Sequence, residues 1–390
     1  MAGLQDFNGR FCESEYENAF ISYLEDEGWQ YLPGGSIPRD SRREVLYEDD
    51  MEQFLCKMNP DLFGEEIKQI MDTVRLAGAE SDFATLHKVY GWMINGIQFV
   101  PHSGLPRMVP LIDFEKHSNN IFRVVNQFTV EYTNNGKTEN RRPDVLLFVN
   151  GMPLCVIELK NPADANAKIY DAWEQITIRY WRDIPHFLHY CPLACISDGV
   201  KTRLGTVRTP YEHYYAWRRV NDGDPISSMP FEETRAMIKG VYSPERFLEI
   251  FRDYIYFQDS EYDIDECEII CRYPQFFASR LLKQSIIRSV VTQSGKGGTY
   301  FGATGCGQTF TMAFLARQLA LRCEDIVEIG SPTIIMIVDR DDLQKQGAKL
   351  FTKSTEFLNL GEVKIVKNRK ELRQELGTRE SGGFYICTIQ

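Results

Sequence analysis

Several things are missing from this sequence. No apolar run approaches the roughly 20 residues that a membrane-crossing helix needs, and the opening MAGLQDFNGRF lacks the basic and apolar blocks of a secretory leader. A cytoplasmic protein with no membrane partner is the expectation. The ten cysteines stand singly. Cys155 in PLCVIELK and Cys195 in LACIS read as small buried hydrophobes, while Cys267 and Cys271 have no second Cys or His pair nearby to complete a tetrahedral zinc site. Disulfides are not expected in a reducing compartment. An excess of base is also missing: the formal net charge is −11. That argues against a protein that coats nucleic acid non-specifically, though not against an enzyme that meets DNA in a local groove. Basic residues cluster locally at Arg42 and Arg43, at Arg179 and Arg182, and among aromatics at Lys201, Arg203, Arg208, Arg218 and Arg219. For each, the solvated face of an acidic protein is an equally good explanation. Internal repeats and low-complexity segments are absent.

What is present reads as two α/β regions, since 390 residues exceed the reach of one hydrophobic core. ESEYENAFISYL has helical spacing and ends near Gly28; residues 50–98 read as mainly helical. From Val109 short alternating or apolar runs follow one another, among them FRVVNQFTVEY, DVLLFVN and LCVIELK, as strands do. A helix is expected at about 165–181, then the strand LACISDG. FEETRAMIK and SPERFLEIFRDYIYF read as helices, the latter with Ser243 as N-cap and Pro244 in the first turn. QDSEYDIDECE reads as a connector. Beyond it strand and helix alternate, which predicts a parallel α/β sheet. The expected boundaries are a first domain over 1–240, a helical connector over 241–265 and a second domain over 266–390.

The densest chemistry lies in RRPDVLLFVNGMPLCVIELKNP. Asn150-Gly151 between two apolar runs predicts a hairpin that brings Asp144 and Glu158 onto neighbouring antiparallel strands, with Glu158 and Lys160 on one face. A two-residue turn alone pairs Asp144 with Ile157. A three-residue loop that includes Met152, or an equivalent bulge, sets Asp144 opposite Glu158, and this second register is the expected one. Two hard carboxylates with room for water and phosphate suit Mg²⁺, and Lys160 can place the attacking water or steady developing charge. Glu-x-Lys alone is common in solvated elements. Here, however, two charges sit on one side of an otherwise apolar strand.

These residues resemble the PD-(D/E)xK nucleases through Pro143-Asp144 and Glu158-Leu159-Lys160. FRVVNQFTV, the hairpin, RYWRDIP and ISDGVKTRLGT together resemble the nuclease domain of type I restriction enzyme R subunits. The resemblance implies an acid on an early helix, for which Glu17 is the choice and Glu13 and Glu15 are competitors. It also implies a Gln and a Tyr, three residues between them, on the helix after the catalytic strand. EQITIRY instead puts four between Gln175 and Tyr180.

One more absence lies in GATGCGQT at 302–309. A phosphate loop reads Gly, four residues, Gly, Lys and Ser or Thr, so that backbone N–H groups converge on phosphates at a helix N-terminus while Lys meets the terminal phosphates. Gly302, Thr304, Gly305, Gly307 and Thr309 suit such a site, but Gln308 stands where the lysine belongs. RYPQFFA before the loop, with VDRDDLQKQ and ICTIQ after it, resembles successive motifs of the first RecA-like lobe of a superfamily 2 translocase. Gln275 then corresponds to that family's adenine-contacting Gln. Loss of the charge-assisted bond, about 1.5–3 kcal/mol, leads us to expect weak ATP binding and no hydrolysis.

No acidic Mg²⁺-holding strand follows Thr309, so the sequence is expected to be the N-terminal part of a longer R subunit with an incomplete motor lobe. The implied function is Mg²⁺-dependent cleavage of double-stranded DNA, coupled in the full complex to ATP-driven translocation. The implied partners are modification (methyltransferase) and specificity subunits. Two rival readings are a stand-alone repair nuclease-helicase and a non-catalytic DNA-binding or assembly module with vestigial sites.

Overall fold

The computed structural model describes residues 13–389 apart from 79, 103, 161–167, 227–228, 230, 259–265, 304, 324–325, 328, 340–349, 352–354, 359–362 and 379–380. The chain divides into two compact units, Met1–Arg252 and Asp253–Gln390.

In the first unit, α1 (Glu13–Asp26) leads into β1 (Gln30–Pro33). Next come α2 (Glu48–Met58), α3 (Gly64–Arg75) and α4 (Asp82–Asn95), and a small ribbon of β2 (Ile97–Phe99) with β3 (Arg107–Val109). β4 (Phe122–Asn126) belongs to the main sheet, while β5 (Val130–Asn134) and β6 (Lys137–Arg141) form a separate hairpin. β7 (Val145–Val149) and β8 (Met152–Leu159) follow. α5 (Ile169–Glu174) continues through a π-helical turn, Gln175–Tyr180, into α6 (Trp181–Asp183) and α7 (Pro185–Leu188). β9 (Leu193–Ser197), β10 (Thr202–Thr206), α8 (Glu232–Val241) and α9 (Pro244–Asp253) complete the series.

The main sheet is mixed, in the order β1-β4-β7-β8-β9-β10, with β1–β4 and β8–β9 parallel and the other pairs antiparallel. Every residue of β7 and β8 is buried, which explains their near-continuous apolar runs: a central strand covered on both faces has no solvent side to mark with polar residues. One face carries Cys155, Cys195 and Ser197. Ser197 meets Tyr16 of α1, and Cys155 meets the Tyr242 hydroxyl just after α8. Glu158 and its neighbour Ile196 lie on the other face, where the helix through 169–180 packs.

The second unit opens with β11 (Ile255–Gln258) antiparallel to β12 (Cys267–Ile270), followed by α10 (Tyr273–Val291) and α11 (Gln308–Leu321). β13 (Ile334–Val338), β14 (Val363–Ile365) and β15 (Phe384–Thr388) form a parallel sheet in the order β13-β15-β14. Ala313 and Ala316 of α11 pack on Phe351, Leu358, Phe384 and Ile386, with the Phe351 and Phe384 rings stacked 4.6 Å apart.

The stretch set apart as a helical connector is divided. α9 stops at Asp253, and the aromatic run after it is strand β11, with Ile255 and Tyr256 buried. A short apolar run fits helix and strand alike until its partner is known, and here the partner is β12. The expected helix over 340–351 falls mostly outside the described residues.

Candidate active site

The hairpin turns on two residues with positive φ, Asn150 at 50° and Gly151 at 79°, the combination that suits the twist of two-residue hairpins. Gly151 has no room for a side chain: a Cβ there would lie 2.1 Å from the Tyr47 carbonyl oxygen. Asn150 is buried and fully used. Its Oδ1 accepts from Ile121 N–H at 2.8 Å, and its Nδ2 donates to Leu111 O at 2.9 Å and Asn120 Oδ1 at 2.8 Å.

The turn is tighter than the three-residue loop considered from the sequence, because Val149 pairs directly with Met152. Register is shifted further along instead. Phe148 pairs with Pro153 but Leu147 pairs with Cys155, so Leu154 is the extra residue of a bulge. Beyond it Val145 faces Ile157, so the same register carried one residue outward brings Asp144 level with Glu158, and the Leu159 N–H bond to Asp144 Oδ2 agrees with it. The bulge thus puts both acids on one face, as the expected register requires.

Glu158 has no exposed surface. Its Oε1 accepts the Tyr180 hydroxyl at 2.6 Å and its Oε2 accepts Gln175 Nε2 at 2.7 Å. Gln175 Nε2 also donates to the Tyr180 oxygen at 2.8 Å, and Gln175 Oε1 accepts Lys160 Nζ at 3.1 Å. Burial, then the adjacent Asp144 carboxylate, pushes the Glu158 carboxyl well above its ordinary value; the Lys160 ammonium and the Tyr180 hydroxyl oppose this by less. Asp144 is anchored by Leu159 N–H, which donates to its Oδ2 at 2.8 Å.

The unusual Gln–Tyr spacing is explained by the π turn. Five residues along an α-helix rotate by about 500°, leaving the two side chains about 140° apart. The π turn closes i to i+5 and brings Tyr180 back over Gln175, so the additional residue is absorbed and both meet Glu158.

Glu17 arrives from α1, on the opposite side of the sheet. It is 6% exposed, with Oε1 accepting Asn126 Nδ2 at 2.7 Å and Oε2 accepting Gln127 Nε2 at 2.6 Å. Gln127 N–H in turn donates to the Asp144 carbonyl at 3.0 Å. Among the described residues no three His, Cys, Asp or Glu side chains gather as a metal cluster, so Asp144 and Glu158 form the close pair and Glu17 stands one link away. The Glu13 side chain lies outside the described part, and Glu15 is only half-buried.

The donor set fits a hard divalent cation. Two carboxyl groups share a buried place with the Lys160 ammonium bonded to the same Gln175, and burial together with the Asp144 charge raises the Glu158 carboxyl, a cost that a bound cation would offset.

In the second unit, Gly305 and Gly307 have φ of 80° and 84°, and Gly307 caps α11. Backbone N–H groups therefore open at a helix N-terminus, as a phosphate chain requires. The charge does not fit. Gln308 Nε2 donates to the Gly302 carbonyl at 3.1 Å, inside its own loop. Gln275 is 4% exposed, and its Nε2 donates to Gly307 O at 3.1 Å while its Oε1 accepts Arg272 N–H at 2.8 Å. Its amide braces the loop. Thr304 lies outside the described residues.

Similarity to known proteins gives the family. The description "Type I restriction enzyme R protein N terminus" matches residues 10–213, more than half of the chain. The chain belongs to this family. A second description, "SWI2/SNF2 ATPase", matches residues 274–390. The "Type I restriction enzyme HindI endonuclease subunit" of Haemophilus influenzae is 28% identical over 397 residues, covering 97% of this chain and 36% of its own. A Methanocaldococcus jannaschii protein, with a provisional name of the same kind (MjaIXP endonuclease subunit), is 28% identical over 403 residues, 96% of this chain and 37% of its own. The chain thus spans a little over a third of the length of these curated relatives.

The basic clusters of this family member are mostly engaged. Arg42 lies 3.8 Å from Glu131, Arg179 2.9 Å from Glu174, Arg182 2.7 Å from Asp183 and Arg218 3.5 Å from Glu233. Arg203 and Arg208 lie over the rings of Tyr211 and Phe83. No helix among the described residues is long and apolar enough to cross a membrane. Sequence reasoning missed Asn126 and Gln127, although both stand in the quoted run FRVVNQFTV; an amide pair at a strand end carries no signal until its acid partner is known.

Proposed function

We propose that the first unit is a PD-(D/E)xK nuclease domain and that the second is part of a RecA-like motor lobe. Together they would belong to the R subunit of a type I restriction enzyme that works with modification and specificity subunits on double-stranded DNA. The observation that carries this reading is the bulged hairpin, which sets Asp144 and Glu158 opposite each other with Lys160 tied to the same Gln175 as Glu158. Asp144 and Glu158 would hold Mg²⁺, which supplies an acidified water and offsets charge on the phosphate. Tyr180 and Gln175 fix the Glu158 oxygens, and Lys160 stands ready to steady the anionic phosphate or orient water.

In this proposal the loop at 302–309 takes a nucleotide weakly and does not hydrolyse it, because an uncharged Gln308 replaces the ammonium that terminal phosphates need. DNA translocation by the full enzyme then requires a charge supplied from elsewhere. The test of the nuclease reading is Glu158→Ala in the full complex: DNA cleavage should be abolished while subunit assembly is kept. Cutting that survives the change refutes the assignment. Cleavage by the full-length chain without methyltransferase partners would favour the repair alternative.

A further inference from the structure

Gln127 sits at the end of β4 with φ of 51°, in the left-handed region that residues other than Gly seldom adopt. The bend is held from outside. Gly34 packs so close that a Cβ on it would meet Asn126 O at 2.4 Å and Phe128 Cα at 2.9 Å. Phe128 beyond the bend is fully buried, its ring 5.6 Å from that of Phe148 and with Arg39 3.9 Å above it. An unfavourable backbone conformation that its surroundings enforce this firmly occurs most often where function uses it.

The bend points the Gln127 side chain at one acid and its backbone N–H at the main-chain carbonyl of another acidic residue. Its side chain donates to Glu17 Oε2 at 2.6 Å, and its backbone N–H donates to the Asp144 carbonyl at 3.0 Å. These acids come from different layers: Glu17 from the helix on one face of the sheet, Asp144 from the hairpin whose partner Glu158 faces the other. Nothing in strand periodicity brings such groups together. Gln127 links the Glu17 carboxylate to the main chain at Asp144.

We propose that Gln127 is a positioning residue that ties the Glu17 carboxylate to the main chain at Asp144, so that acids from two layers of the fold serve one divalent cation. This rests on the reading of Asp144 and Glu158 as cation ligands. Gln127 does not touch the cation; it acts through Glu17, as the outer partners of metal ligands do.

The test is Mn²⁺ binding by calorimetry on this 390-residue chain, with thermal melting of every variant. Gln127→Gly keeps the bend and the backbone bond to Asp144 but removes the side chain. Gln127→Asn also tolerates the bend, yet is too short to reach Glu17. Each should weaken Mn²⁺ binding about tenfold, as the loss of an outer partner does. Glu17→Gln should have a similar effect, and adding Gln127→Gly to it should cost little more, since both remove one linkage. Folded Gln127 variants that bind Mn²⁺ like the parent overturn the proposal, as do fully additive effects. Should Gln127→Gly fail to fold, Gln127→Asn decides. A parent chain whose Mn²⁺ binding is absent, or unaffected by Glu158→Gln, marks instead the failure of the cation-site reading, and the proposal falls with it.

Discussion

Tyr180→Phe removes one oxygen from a fully buried ring and leaves its shape unchanged. That oxygen donates to Glu158 Oε1 at 2.6 Å and accepts from Gln175 Nε2 at 2.8 Å, while Gln175 retains its 2.7 Å bond to Glu158 Oε2. The cost depends on the protonation state of Glu158. In EDTA, burial and Asp144 keep its carboxyl protonated far above the usual carboxylate range. The lost bond is then one between neutral groups, about 0.5–1.5 kcal/mol. With a divalent cation bound the carboxylate is ionised, and the same bond is worth about 1.5–3 kcal/mol. The difference of about 1 kcal/mol predicts cation affinity weakened about fivefold. Tyr180 also lowers the Glu158 pKa, so the rise of cation affinity with pH should move to higher pH in the variant. Melting curves with EDTA and with Mg²⁺, and calorimetric titration across pH, measure all of this. Equal destabilisation in both conditions with unchanged cation affinity would refute the reasoning.

Four further outcomes are expected. Gln308→Lys should tighten ATP binding by about ten- to a hundredfold, read by calorimetry, because a charge-assisted bond to phosphate replaces a neutral amide. Gly151→Ala should lower stability by about 2–5 kcal/mol in denaturant unfolding, combining left-handed strain with a Cβ driven into backbone atoms. Glu158 has a raised folded-state pKa, so the native state binds more protons than the unfolded one above pH 4.5 and metal-free stability falls as pH rises; Glu158→Gln should flatten that slope in pH-dependent melts. Glu66 has the opposite sign: N–H groups of Phe63 and His102 lower it from 4.5 to about 2, so its contribution is full above pH 4.5 and lost as pH falls towards 2, a slope that Glu66→Gln should remove.

The elements closest to the site were legible because they are written in local chemistry. Asn150-Gly151 specifies its own backbone angles, and the apolar strands on either side leave few alternatives. Helical spacing in ESEYENAFISYL and the alternation of strand and helix after residue 266 were likewise readable, since they need no knowledge of distant partners. What was not legible depends on tertiary contact. Strand β11 was taken into the preceding helix because its aromatic run suits either form until β12 pairs with it. Gln275, a candidate for nucleotide contact on resemblance, proves to brace Gly307 across 32 residues of chain, which spacing cannot announce. The bend at Gln127 is imposed from Gly34, and neither residue names the other.

The two places where the backbone departs from a regular repeat by a single residue both serve Glu158. Along the strands, a regular two-residue hairpin would have set Asp144 against Ile157 and turned the acids to opposite faces; one extra residue at Leu154 turns them to the same face. Along the following helix, a regular α-turn would have carried Tyr180 well away from Gln175; one extra residue closes as a π turn and returns it. Either irregularity alone would leave Glu158 with part of its environment. The bulge supplies the second carboxylate, and the π turn supplies both donors to its oxygens. A bulge and a π turn each give up regular backbone bonding, and a chain selected only for stability would have reason to lose them. Both surround one fully buried acid and determine what its two oxygens meet, so their local cost is offset at the proposed site and not in the sheet or the helix.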